Sequence, residues 1–201
     1  MPDLIVIAGC NGAGKSTFST SFLPNDLSSF DYDKTYLEHY DSLPDSELRD
    51  QFARDRTTKE FESAVEIAIR NEQSFCYETN FDSHPTYWPE VFKEKGYRLN
   101  LIFFCLNNRE LAEHRVKVRA EFKGHFVNKE TINTKWKAGY KNVNLHFKLF
   151  DNLLFVDNSV QNEVYTNLLQ IQDDEIDLLT SELPEYFERR FPDIYALSKA
   201  Q

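Results

Sequence analysis

The sequence predicts an α/β fold in which a parallel sheet of five strands, or slightly more, carries helices on both faces and a helical lid. Three observations predict it. Leu4, Ile5, Val6 and Ile7 form an apolar, largely β-branched run of the kind buried on both faces of a sheet. The run passes directly into Gly9-Cys10-Asn11-Gly12-Ala13-Gly14-Lys15-Ser16, a complete phosphate-binding loop of the P-loop NTPase type. Further strand-like runs come later in the chain, separated by helical spacing and without a hairpin signal, which implies right-handed crossovers and parallel pairing.

A helix begins near Lys15, and Leu23-Pro24-Asn25-Asp26 breaks the chain before a short second strand, Leu27 to Phe30, that ends in Asp31-Tyr32-Asp33. From Asp45 to Glu72 the pattern is helical, with Phe61, Val65, Ala68 and Ile69 as its buried stripe; the polar stretch around Asp41 to Arg56 carries no comparable stripe. Ser74 to Tyr77 reads as a third strand leading into Glu78-Thr79-Asn80, and the segment punctuated by Pro85 and Pro89 reads as a helix stopping at Gly96. Arg98 to Leu106 is a nearly unbroken apolar run and so a central strand. Helices at 109–122 and about 129–143 form the lid, Leu153 to Val156 is the last strand, and the apolar spacing from about Gln161 reads as helical. The domain reading is therefore a core over 1–160, lid included, with 161–201 as a helical extension of the same domain.

Composition narrows the function classes. With 23 basic and 33 acidic residues the net charge is -10, which argues against a nucleic-acid partner held by backbone electrostatics. Three cysteines without C-x-x-C spacing suit a reducing compartment, and the five histidines form no zinc-binding pair. The first strand begins by about residue 4 and no apolar run has the length of a membrane span, so the expected location is cytoplasmic, with no membrane partner.

In parallel α/β sheets ligands bind beyond the carboxyl ends of the strands, and that rule selects the candidate site. The backbone N–H groups of Gly9, Asn11, Gly12, Ala13, Gly14, Lys15, Ser16 and Thr17 suit a polyphosphate, with Lys15 reaching the β- and γ-phosphates of ATP and Ser16 ligating Mg²⁺. Phosphoryl transfer also needs a base and cations on the migrating group. Asp33, at a strand end, is the candidate base, with Asp31 the more structural of the pair. Glu78, Thr79 and Asn80 are candidates for holding the acceptor. Arg115 and Arg119 lie four apart on one helix face, and Lys123, Lys129, Lys135 and Lys137 make the lid basic within an acidic chain.

The sequence motifs AGCNGAGKST, FDYDK, FCYETNF, HRVKVRAEFKGHFV and VDNS resemble, in order, those of the zeta toxin family of P-loop kinases, over about residues 4–159. The resemblance implies transfer of the ATP γ-phosphate to a hydroxyl of a sugar nucleotide such as UDP-N-acetylglucosamine, an antitoxin partner, Asp33 as base, Glu78 and Thr79 as acceptor ligands, and Arg115 and Arg119 on the phosphates. Lys135 matches a lid position where many members carry arginine; a lysine keeps the charge but loses the two-pronged fork. The family's G-G-H-x-V-P reads Lys123-Gly124-His125-Phe126-Val127-Asn128 here, and its N-A-D reads Asp31-Tyr32-Asp33. Two alternatives stay open: a housekeeping metabolite kinase without a toxin role, and a nucleotide-binding regulator. No N-K-x-D, D-x-x-G or L-S-G-G-Q motif points to a GTPase switch or a transporter ATPase.

Overall fold

The computed structural model describes residues 1–121, 127–160, 164–173 and 175–200. Its centre is strand β1 (Asp3–Ala8), whose residues Leu4 to Ala8 are buried, as a strand flanked on both sides requires. The sheet has six strands in the order β2-β1-β3-β4-β5-β6. Strands β2 (Phe75–Thr79), β3 (Arg98–Cys105) and β4 (Asn152–Asp157) run parallel to β1 as their alternation with helices demands. Register levels their carboxyl ends: Ala8 pairs with Thr79 and Phe103, and Cys105 pairs with Asp157. The phosphate-binding loop, Glu78 and Asn158 therefore rise from one rim.

Two expectations fail. Leu27 to Phe30 is not a strand; Phe30 alone bridges Tyr77, with Phe30 N–H on the Cys76 carbonyl and Glu78 N–H on the Phe30 carbonyl. Asp31 stops the pairing by capping helix α2 (Tyr32–Ser42), its carboxylate accepting from the Lys34 N–H at 3.1 Å. Asp33 thus sits in the first turn of a helix rather than at a strand end. The second failure is the helical reading of the stretch after residue 161 as far as Leu178; only the chain from Glu185 onward is helical. Strands β5 (Thr166–Gln172) and β6 (Glu175–Leu178) form an antiparallel hairpin on the sheet edge, turning at Asp173 with φ 49°. A bulge opposite Phe155 and Val156 leaves Leu168 and Leu169 both buried, and two adjacent buried leucines followed by Ile171 imitate helical spacing. The sheet is consequently mixed, not purely parallel.

Helix α1 (Lys15–Phe18) is one turn long and continues as a 3₁₀ turn, Ser19–Phe22. Helix α3 (Arg49–Arg70) buries Ala53, Thr57, Phe61, Val65 and Ala68, and α4 (Tyr87–Glu94) precedes β3. Helices α5 (Arg109–Glu121) and α6 (Lys129–His146) are the two lid helices; Lys123, Gly124, His125 and Phe126 between them lie outside the described residues. Helices α7 (Glu185–Arg190) and α8 (Pro192–Ala200) close the sheet, with Phe187 and Phe191 packed edge-on against Phe155. Among the described residues no helix is long and apolar enough to cross a membrane.

Candidate active site

The loop after β1 curls as its glycines permit. Gly12 has φ 79° and lies so close to α5 that a Cβ would stand 2.7 Å from the Ala112 carbonyl; Gly14, at φ 97°, is pressed against the Asn158 side chain. The loop is pinned from outside: Asn158, buried beyond β4, donates its amide N–H to the Ala13 carbonyl at 2.9 Å. Lys15 folds back over the loop, its Nζ donating to the carbonyls of Gly9 at 2.8 Å and Cys10 at 3.2 Å, a posture that an incoming phosphate can replace. Because α1 is a single turn, anion attraction rests on the loop N–H groups and Lys15 more than on a helix dipole. The buried Asn11 Oδ1 has no partner among the described residues.

Ser16 joins the loop to two carboxylates. Its Oγ lies 2.8 Å from Asp31 Oδ2 and 2.7 Å from Glu78 Oε2. A serine hydroxyl has one hydrogen and cannot donate to both, so a shared proton or a cation must relieve this convergence of oxygens. Burial pushes the Glu78 carboxyl above its usual value and the Asp31 charge adds to this, while the Ser16 hydrogen bond and Lys15 pull it down. An all-oxygen set with two carboxylates suits Mg²⁺, so the residues present fit the expected metal.

These groups open onto a cleft of about 950 Å³. Arg115 reaches across from α5, its Nη1 donating to the Gly12 carbonyl at 3.4 Å, and burial lowers its pKa. Arg119 and Lys135 line the same cleft from the lid helices. Asp33 faces it from α2, half-buried and without a side-chain partner among the described residues. Thr79 and Asn80 also line it, but the Thr79 hydroxyl is already engaged, accepting from the Phe81 N–H at 3.0 Å. Most of the expected set is therefore brought together on one cleft, but Lys129 pairs instead with Glu113 at 3.3 Å, Lys137 lies away from the cleft beside Asn133 and Arg189, and residues 123–126 lie outside the described residues.

Sequence reasoning gave no role to several other residues. Asn158 was visible only as a polar strand end. Asn142 of α6 donates to the carbonyls of Phe81 and Asp82, both at 2.9 Å, tying the lid to the loop beyond β2. Phe61, Tyr87, Trp88, Glu62 and Asp82 complete the cleft wall; the spacing of Thr58, Phe61 and Glu62 on one face of α3 was the available signal.

Comparison with known proteins fits this geometry. The AvrRxo1-ORF1:AvrRxo1-ORF2 complex, solved with sulphate ions and with ATP, superposes with TM-score 0.68 at 14% identity in its sulphate form, over 95% of this chain and 64% of that one. The PezAT chromosomal toxin–antitoxin system of Streptococcus pneumoniae gives 0.60 at 14% identity, over 100% and 87%. The Pnkp1/Rnl/Hen1 RNA repair complex gives 0.57 at 23% identity, over 70% of this chain and 45% of that one. The chain thus spans less than two thirds of the matched chains in the AvrRxo1 and RNA repair complexes, and at these identities the likeness speaks for the fold alone. No curated protein sequence matches. The zeta toxin family profile matches residues 1–170, most of the chain and all of the cleft, and on that ground the protein belongs to the zeta toxin family and has the fold of its P-loop kinases.

Proposed function

We propose that the protein transfers the γ-phosphate of ATP to a hydroxyl of a small molecule, a sugar nucleotide or a similar hydroxylated metabolite, with Asp33 as the base. The observation that carries the reading is Asp33 itself: a half-buried carboxylate without a partner among the described residues, on the same cleft as the phosphate loop. The acceptor hydroxyl gives its proton to Asp33 as its oxygen bonds to the γ-phosphorus; the bond from that phosphorus to the β–γ bridging oxygen breaks, ADP leaves, and Asp33 returns the proton to water. Lys15, Arg115, Arg119 and Lys135 offset the charge on the migrating group. Ser16, with Asp31 and Glu78 beside it, would hold Mg²⁺, which when bound supplies charge neutralisation and orientation of the phosphates. ATP as donor is supported by the family and by the ATP form of the AvrRxo1 complex, and an antitoxin-type protein partner by the PezAT system.

The test is incubation of the full chain with γ-labelled ATP, Mg²⁺ and a metabolite extract. Label appears on a small molecule, Lys15→Ala loses nucleotide binding, and Asp33→Asn binds ATP normally while its transfer rate falls by about 10²–10⁴-fold. Full transfer by Asp33→Asn sinks the base assignment, and bound but unreacted ATP in every fraction favours a regulator.

A further inference from the structure

Strand β2 ends in a turn that is held from more than one side. The Thr79 carbonyl accepts from the Gly9 N–H at 3.2 Å, which ties the turn to the phosphate loop, and the Thr79 hydroxyl accepts from the Phe81 N–H at 3.0 Å. Phe81 stands at φ 59°, in the left-handed region that a bulky residue enters only at a steric cost. Its side chain is fully buried, with the ring centre 6.0 Å from that of Phe150. Such a conformation persists only where the surrounding structure over-determines it.

Helix α6 supplies that structure. Lys135, Gly139 and Asn142 follow one another at i, i+4 and i+7 and so share one face of the helix. Gly139 brings the helix backbone so close to the turn that a Cβ would stand 2.6 Å from the Asn80 carbonyl oxygen. Asn142 donates its side-chain amide to the carbonyls of Phe81 and Asp82, each at 2.9 Å. Three consecutive carbonyls of the turn therefore meet one face of α6. Thr79, Asn80 and Asp82 line the cleft, as does Lys135 from the other end of that face, whereas neither Gly139 nor Asn142 is among the lining residues.

Resting on the kinase reading above, we infer that Asn142 and Gly139 are positioning residues for the phosphoryl acceptor: α6 holds the 79–82 turn in its left-handed form at Phe81, and the turn holds the acceptor. Without the Asn142 amide two carbonyls lose their donor, Phe81 relaxes toward a negative φ, and Asn80 and Asp82 shift along the cleft wall. The nucleotide half keeps its own supports, Lys15 on the Gly9 and Cys10 carbonyls and Asn158 on the Ala13 carbonyl. Lys135 also keeps its place, because α6 is anchored by the buried Ile132, Trp136, Tyr140 and Val143. The loss therefore falls on acceptor binding and spares both ATP binding and the transfer step.

The experiment gives the full chain γ-labelled ATP, Mg²⁺ and a dilution series of the metabolite extract, as wild type, Asn142→Ala, Asn142→Asp and Gly139→Ala. Asn142→Ala removes the donor, Asn142→Asp keeps the shape without it, and Gly139→Ala crowds the Asn80 carbonyl with a methyl group. Each raises the half-saturating extract concentration about tenfold, while the maximal rate and the ATP dissociation constant stay within about twofold of wild type. Amide exchange reads the turn in the wild type itself: the Phe81 N–H exchanges at least about a hundredfold slower than in an unstructured chain. Variants that half-saturate as wild type does, a loss that falls on the maximal rate or on ATP instead, or unprotected exchange at Phe81 overturns the inference and leaves the kinase reading standing. Label on no compound from the wild type overturns the kinase reading itself.

Discussion

Asn158→Ala removes the single side chain that ties β4 to the phosphate loop among the described residues. The lost interaction is the 2.9 Å hydrogen bond from the Asn158 amide to the Ala13 carbonyl, and Ala13 is fully buried, so its carbonyl is left without that donor. Stranding a buried acceptor costs about 1–3 kcal/mol, whereas the Asn158 backbone N–H keeps its bond to the Cys105 carbonyl. The amide also packs against Gly14, so the substitution opens space beside a loop residue already at φ 97°. For a chain of this length each kcal/mol corresponds to about 2–4 °C in melting temperature, so thermal unfolding should drop by several degrees. The loop that loosens is the one that cradles phosphate, and every ~1.4 kcal/mol of lost preorganisation weakens ATP about tenfold. Calorimetry for ATP affinity and thermal unfolding of the apo protein read the two effects separately. If Asn158→Ala binds ATP within twofold of wild type and melts within a degree of it, the strap between β4 and the loop has no energetic role and the reasoning fails.

Two further outcomes rest on packing. Gly139→Ala in α6 gains about 1 kcal/mol in helix propensity but drives a Cβ to 2.6 Å from the Asn80 carbonyl, an overpacking cost of about 1–3 kcal/mol; the net loss of up to about 2 kcal/mol should lower the urea midpoint, and a raised midpoint would contradict it. Cys10, Cys76 and Cys105 are all buried; burial pushes the Cys10 and Cys76 thiols up to about 12, so at pH 8 the thiolate fraction at each is about one part in ten thousand and grows as pH rises. A thiol reagent at pH 8 should therefore leave the native protein unlabelled over a period in which the denatured chain labels three times, and rapid native labelling of Cys10 would show that the loop opens.

The features legible in the sequence were those that depend on local pattern. Leu4 to Ile7 and Leu101 to Leu106 are buried on both faces and read as strands from their apolar runs alone, and the glycine spacing of 9–16 gave the loop without structural help. The failures have one kind of cause. A single bridge between Phe30 and Tyr77 replaces a strand because Asp31 caps a helix at once, and whether a run of four residues pairs once or repeatedly depends on how the chain turns after it. The bulge at Leu168 places two neighbouring leucines inside, and period alone then favours the wrong element. Asp33 lines the cleft although the premise that placed it there was wrong: its helix begins at the rim where the strand was expected to end.

The two aspartates divide their labour at the start of α2. The Phe30 carbonyl accepts from the Glu78 N–H and its own N–H donates to the Cys76 carbonyl, which fastens the start of α2 to the edge strand one residue before Asp31. Asp31 then commits one carboxylate oxygen to the helix cap and the other to Ser16, which leaves Asp33, two residues on, as the carboxylate of the pair without such a commitment. Asp31 is the cap and Asp33 a first-turn residue of α2, so the helix start, and not strand alternation, separates the two carboxylates. The division of the two aspartates follows from α2 starting directly after the Phe30 bridge, with Asp31 as its cap on Ser16 and Asp33 in its first turn on the cleft. Phe30, itself on the cleft wall, is therefore the residue through which the β2 edge sets the position of Asp33, the proposed base.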